Sequence, residues 1–283
     1  MQVGLDIAIH DAVRKKAALA RRMGPRFNGE FLVRRMDYDA AYVFDHDYYW
    51  IATTSPTEEL VAPANPCSFE FDLHVGASQV NYNGALDPLL FQTAAHPFFW
   101  PVPYYIPKGT RVSFNTNEDD QWIGPEIALH GFIPVEPRAD KATTRRPFIY
   151  VAQFDQMGDN SEGRVTFKVI PETNFVITRM LAIQRFIDLQ RATNVPVDIS
   201  FVTQLWVKSN PYVLRNTQAS SVYGTRVYPL ELDTPIKVSG GDTVEVSVNT
   251  PFYGIEANYV NIKIFFVGVQ TGVTGSLNPS IPV

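Results

Sequence analysis

The chain has 283 residues and a mass of 31.8 kDa, with 45% hydrophobic and 19% charged residues. That balance excludes a disordered polymer and supplies apolar side chain for two cores of ordinary size. One cysteine, Cys67, excludes an internal disulfide framework and any cysteine-based zinc cluster. Aromatics reach 13% and 21 prolines exceed 17 glycines, which suits a β-rich chain with firm turns. No run approaches the roughly 18 apolar residues of a membrane span, so a soluble chain is expected. The start, MQVGLDIAIHD, lacks a basic region ahead of an apolar stretch, so no secretory signal is expected.

The net charge of -5 is unevenly placed. Residues 1–35 hold eight basic side chains (Arg14, Lys15, Lys16, Arg21, Arg22, Arg26, Arg34, Arg35) against Asp6, Asp11 and Glu30. The rest of the chain is acidic. From Leu5 to Met23 there is no Gly or Pro, and Ile9, Val13, Ala17, Ala20 and Met23 recur at helical spacing. Gly24-Pro25 ends the pattern. The spacing predicts a basic amphipathic helix within an arm of residues 1–26. Two roles stay open for it: packing on its own β-domain, or contact with a neighbouring subunit, nucleic acid or anionic lipid. Arg14, Lys15, Lys16, Arg21 and Arg22 would carry that assembly or polyanion contact.

The chain then contains itself twice. Residues 68–109 align with 200–241 at an offset of 132, with Ser68/Ser200, Phe69/Phe201, Thr93/Thr225, Pro97/Pro229, Pro103/Pro235 and Gly109/Gly241 identical. With two residues inserted, 112–135 aligns with 246–269, pairing Val112/Val246, Ser113/Ser247, Asn115/Asn249 and Phe132/Phe266. Upstream, Tyr42-Val43 falls on Val169-Ile170 and Asp47-Tyr48 on Asn174-Phe175, at an offset of 127. A duplicated domain follows: a first copy over 27–137, a polar linker at 138–144, a second copy over 145–272 and a tail at 273–283.

The local pattern is mostly β. Arg111–Thr116 and Thr243–Val248 alternate apolar and polar positions after Gly turns, and 68–73 and 164–170 read alike. Ile262–Val267 reads as a more buried closing strand. Arg179–Arg191 suits either a short helix or a strand pair. Six to eight short strands in ~110 residues describe, in each copy, an antiparallel sandwich of jelly-roll type. The fold class is therefore all-β, with two tandem jelly rolls behind the N-terminal helix.

These segments resemble structural proteins of bacteriophage particles. The resemblance rests on a strand ending before an aromatic (Asp47-Tyr48, Asn174-Phe175) and a Tyr223-Gly-Thr225 turn. It continues through the Pro-rich stretches Pro97–Gly109 and Pro229–Gly241 and the strands ending at Asn115 and Asn249. Tandem jelly rolls also resemble the double jelly-roll capsid proteins of tailless icosahedral viruses, whose trimers form pseudo-hexagonal capsomers. The resemblance implies a virion structural protein made in the host cytoplasm, which partners copies of itself, as a trimer, and other virion proteins. A vertex, collar or tail-associated place is the alternative within that class.

Chemistry is sparse. No two of His10, His46, His74, His96 and His130 form His-x-His, so no cupin-type metal site is expected. Asp45-His46-Asp47 reads as a surface turn, with strand alternation sending His46 away from both carboxylates. Cys67 reads as a small buried residue, and no nucleophile elbow or phosphate loop appears. Glu118-Asp119-Asp120, with Glu126, reads as an acidic loop. Phe98, Phe99, Trp100, Tyr104 and Tyr105 read as a rigid packing or subunit-contact loop; stacking on sugar rings, near Trp100 or Trp122, is the competing role. The expectation is a non-enzyme without cofactor or metal.

Overall fold

A computed structural model describes residues 29–37, 41–54, 70–91, 97–116, 126–134, 145–188, 193–225, 228–252, 254 and 258–272. The basic arm, the junction at 138–144 and the tail at 273–283 lie outside the described residues.

The first half contributes β1 (Gly29–Asp37), β2 (Ala41–Val43), β3 (Tyr48–Thr54), β4 (Phe71–Val75), β5 (Ser78–Gln79), β6 (Asn81–Tyr82), a 3-10 turn at Pro88–Phe91, β7 (Phe98–Ile106), β8 (Arg111–Thr116) and β9 (Glu126–Pro134). The second contributes β10 (Arg145–Met157), β11 (Glu162–Lys168), β12 (Thr173–Asp188), β13 (Thr193–Val197), β14 (Val202–Val207), β15 (Asn210–Gln218), helix α1 (Ala219–Tyr223), β16 (Leu230–Val238), β17 (Thr243–Asn249) and β18 (Tyr259–Gly272). The fold is all-β, built from antiparallel sheets. Arg179–Asp188 continues β12 as one strand, so the helical alternative for this stretch is set aside.

The two halves repeat one strand order. In the first, β1-β9-β3-β7 faces β2-β8-β4-β5; in the second, β10-β18-β12 with β16 on β12 faces β11-β17-β14-β15. Alternation explains the inner faces: Phe71, Leu73 and Val75 of β4 turn inward, as do Val244, Val246 and Val248 of β17. Two large cores result, and the second half contributes to both. Trp50, Phe71, Phe91, Trp100 and Phe114 lie in the first, and Tyr150, Phe167, Phe175, Tyr223 and Phe266 in the second.

A shared bulge gives the repeat its true register. On β3 the pairing with β9 jumps between Trp50 and Ala52, opposite Gly131; on β12 the pairing with β18 jumps between Ile177 and Arg179, opposite Gly268. A Cβ on Gly131 would collide with the Tyr49 carbonyl and the Tyr48 ring, and one on Gly268 with the Val176 carbonyl and the Phe175 ring. Glycine is required at both places. Trp50 and Ile177 are thus equivalent at the offset of 127, but Gly131 and Gly268 stand 137 apart.

That spacing corrects the downstream alignment. Val75 pairs with Val112 and Val207 with Val244, so β8 and β17 keep the offset of 132. The extra residues therefore lie between the last two strands of the second half, not before β17. A two-residue slip preserves in-out alternation, so the Val-Ser-x-Asn match concealed it. Phe132 and Phe266 are not equivalent either: Phe132 packs with Ile51 and Ala52 in a small third cluster, whereas Phe266 lies in the second core. Upstream, Phe44 exchanges hydrogen bonds with Thr110 and Gly109 as Val169 does with Asp242 and Gly241. Phe44, not Tyr42, is the counterpart of Val169.

Candidate functional site

The predicted arm contacts Arg14, Lys15, Lys16, Arg21 and Arg22 lie outside the described residues, as do His10, His96, Cys67, Glu118–Asp120 and Trp122. Among the described residues no three His, Cys, Asp or Glu side chains gather to hold a metal ion. Asp45-His46-Asp47 forms a turn rather than a continued strand, so alternation does not apply. His46 Nε2 sits 3.0 Å from Asp45 Oδ1, and Asp47 Oδ1 accepts the Lys108 backbone N–H at 2.9 Å. These groups brace two adjacent turns.

The aromatic-proline segment is strand β7, not a loop. It forms the sheet edge, where Pro101 and Pro103 cost no ladder partner. Phe98, Trp100 and Tyr104 turn into the first core, with Trp100 edge-on to Trp50 at 5.0 Å and to Phe98 at 5.0 Å. Trp100 is 6% exposed, so it offers no ring face to a sugar. Phe99 and Tyr105 point to the other face and are half-buried.

The most elaborate constellation joins the two repeats. Residues along β10, β12 and β18 alternate between cores: Phe148, Tyr150 and Ala152 enter the second, while Ile149 and Val151 enter the first. Leu181, Ile183, Phe265 and Val267 also enter the first core, so this sheet is buried on both faces. Uninterrupted apolar runs such as Phe148–Ala152 are the sequence mark of such strands. β6 of the first repeat adds to the same sheet, parallel to β10, with Asn81 beside Ile149 and Tyr82 beside Tyr150.

Charges line this contact. Arg185 of β12 grips Asp87 with two hydrogen bonds, Nε to Oδ2 at 2.5 Å and an Nη to Oδ1 at 2.8 Å. Burial raises the Asp87 carboxyl pKa, but the Arg185 charge and hydrogen bonds, Lys263 and the Leu89 N–H together hold it below the ordinary value. Lys263 Nζ donates to the Ala85 carbonyl at 3.0 Å and pairs with Glu70 at 2.7 Å. Arg179 donates to the Phe99 carbonyl at 3.0 Å and pairs with Glu231 at 2.5 Å. Asn83 Nδ2 donates to the Val151 carbonyl at 3.0 Å.

Sequence reading missed this join. Its available signal was a lone Lys263 inside Ile262–Val267 and a lone Arg185 after Met180–Ile183, cations where a strand buries both faces. What the arrangement does is mechanical: it locks two similar units in one fixed, head-to-tail relation.

No family model and no curated protein matches the chain. Among solved structures, a chain of Sulfolobus Turreted Icosahedral Virus overlaps at 8% identity with a TM-score of 0.25, over 87% of this chain and 57% of that one. This chain therefore spans little more than half the length of that match. The ANXUR1 extracellular domain of Arabidopsis thaliana overlaps at 8% identity and 0.23, over 88% and 82%. The VP2 subviral particle of infectious bursal disease virus overlaps at 8% identity and 0.19, over 89% and 79%. These overlaps are loose and span unlike proteins. Among the described residues, no helix is long and apolar enough to cross a membrane.

Proposed function

We propose that this chain is a tandem jelly-roll structural protein of a bacteriophage particle, assembling through its sandwich faces into the capsid shell as a trimer. The observation that carries the reading is the repeated strand order, 1-9-3-7 facing 2-8-4-5, found once in each half. With β5 and β6 counted as one interrupted strand, the first half has eight strands, and the second has the same eight with β13 added beside β12, a count that supports a jelly-roll reading of each. Viral shells, lectins and cupins share that architecture. Within it, the rigid join between the halves supports a geometric role, since a shell subunit must present two similar faces at a fixed angle. The inward-facing Trp100 supports the same choice over sugar binding.

The proposal makes the protein a non-enzyme of the virion, with copies of itself and other virion proteins as partners. The basic arm, through Arg14, Lys15, Lys16, Arg21 and Arg22, would tether it to a neighbour, nucleic acid or anionic lipid. Electron microscopy of the concentrated purified protein tests it. Rings, sheets or shells of regular spacing are expected, and single unassociated particles at every concentration would overturn the reading.

A further inference from the structure

The sheets β1-β9-β3-β7 and β10-β18-β12 each have a second face, turned away from the sandwich they belong to. In the second repeat this outward face is covered: Ile149, Leu181, Phe265 and Val267 leave it for the first core. The bulge glycines locate its counterpart in the first repeat. Leu32 stands opposite Gly131 and Phe148 opposite Gly268, so Val33 takes the place of Ile149 and Ala128 that of Phe265.

The first repeat's outward face is apolar and sealed along one strip. Ile51 and Ala52 of β3 and Ala128 and Phe132 of β9 are buried there, Phe132 to 4% exposure. On one side of them Val33 is 38% exposed, and on the other Phe99 and Tyr105 are half-buried. Among the described residues, the cluster draws on β3, β7 and β9 alone. A phenylalanine on a bare sheet keeps much of its ring in water, so this strip has a cover. It is two strands wide, ~10 Å, which is about the diameter of one α-helix.

The chain leading into β1 supplies such a helix. Ile9, Val13, Ala17, Ala20 and Met23 make an apolar stripe ~21 Å long at helical rise, against ~14 Å of strand from Ala128 to Phe132. Residues 24–28 join Met23 to Gly29, which pairs with Pro134, two residues beyond Phe132. Five residues reach ~17 Å, enough to turn back onto the face beside Phe132.

We infer that residues 5–23 lie as a helix along β9 and β3 of their own chain, with the stripe against Ala52 and Phe132. The arm then does for the first repeat what the first repeat does for the second: the preceding chain covers the outward face of each sheet. At about 100° per residue, Arg14, Lys15, Arg21 and Arg22 fall on the side opposite the stripe. Docking therefore holds four cations outward in a fixed pattern, while Lys16, within the stripe, reaches water along its stem. The contact lies inside one chain and does not depend on the structural-protein reading.

Two measurements on the full chain test it. Trypsin should cut after Arg14, Lys15, Arg21 and Arg22 about tenfold or more slowly than in a Val13→Glu, Ala17→Glu double variant whose β-sheet circular dichroism is unchanged. A benzophenone fixed to Ala17→Cys, in a Cys67→Ser background, should crosslink on illumination to peptides holding Ile51–Thr54 or Ala128–Phe132 of the same chain. Equal cleavage of the two proteins, or crosslinks that miss both peptides, would overturn the docking. Crosslinks to those peptides in a second chain, seen as dimers of differently isotope-labelled copies, would overturn the arrangement within one chain and assign the strip to a neighbour.

Discussion

Arg185 and Asp87 lie 98 residues apart and come from different repeats, yet they meet as a two-pronged ion pair sealed from water. The pair stands where the sheet of the second repeat covers the core of the first. Removing one partner leaves the other charged and buried, which costs about 3–5 kcal/mol. Asp87→Ala and Arg185→Ala should each lose about that much in urea unfolding. Asp87→Leu combined with Arg185→Leu should lose far less, because an apolar pair leaves no orphan charge. A double variant as damaged as the singles would contradict this.

The same pair sets the acid limit. Asp87 ionises more readily folded than unfolded, so its contribution to stability is present above the ordinary carboxylate pKa of about 4. It is lost as pH falls below that value through the depressed folded pKa. The contact should thus hold at pH 5 and fail only in stronger acid. Melting temperature against pH should fall more steeply below pH ~4 in the wild type than in the double Leu variant.

The alkaline limit has another source. Burial raises the phenol pKa of Tyr48, Tyr104, Tyr150 and Tyr223 above the ordinary value. A raised folded pKa means stability that is full below the unfolded pKa of about 10 and lost above it. The Tyr150 hydroxyl accepts the Ile170 N–H at 2.9 Å. Unfolding should begin above pH ~10, and Phe substitution of Tyr150 and Tyr223 together should move its onset to higher pH; an onset unmoved by that change would contradict it.

Gly131 and Gly268 make a paired test of the repeat. Each faces a backbone carbonyl that cannot retreat, since that carbonyl belongs to the bulged neighbour strand. Gly131→Ala and Gly268→Ala should each destabilise by about 1–3 kcal/mol or more, the range for forced overpacking. Gly109→Ala is strained for a different reason, a φ of 81° shared with Gly241 at 83°.

Much of this architecture could be read from residues. The strand at Arg111–Thr116 and the buried closing strand at Ile262–Val267 stand where their patterns placed them. The offset of 132 holds from β4 through β17 except at a one-residue bulge in β15, and 127 holds at the bulge of β12. The offset of 134 failed because alternation repeats every two residues, so Val112 matches Val244 and Val246 equally well by type. The join between repeats was illegible for another reason: it depends on which face of β10 meets which core, and an unbroken apolar run states only that both are buried.

Trp100 separates structural packing from sugar recognition. Its indole N–H is buried and finds no hydrogen-bond partner among the described residues, so replacing it by Phe removes an unsatisfied donor along with some apolar contact. Trp100→Phe should change stability by about 1 kcal/mol or less and leave self-association unaltered. A loss of glycan binding in that variant would reverse the assignment.

The absolute mass of the purified protein by light scattering, at low and high salt, tests the central claim most directly. The account predicts a discrete oligomer, a trimer of the 31.8 kDa chain, with any contribution from the basic arm weakening as exposed charges are screened over ~10 Å at 0.1 M salt. A strict monomer at all salts and concentrations would contradict it.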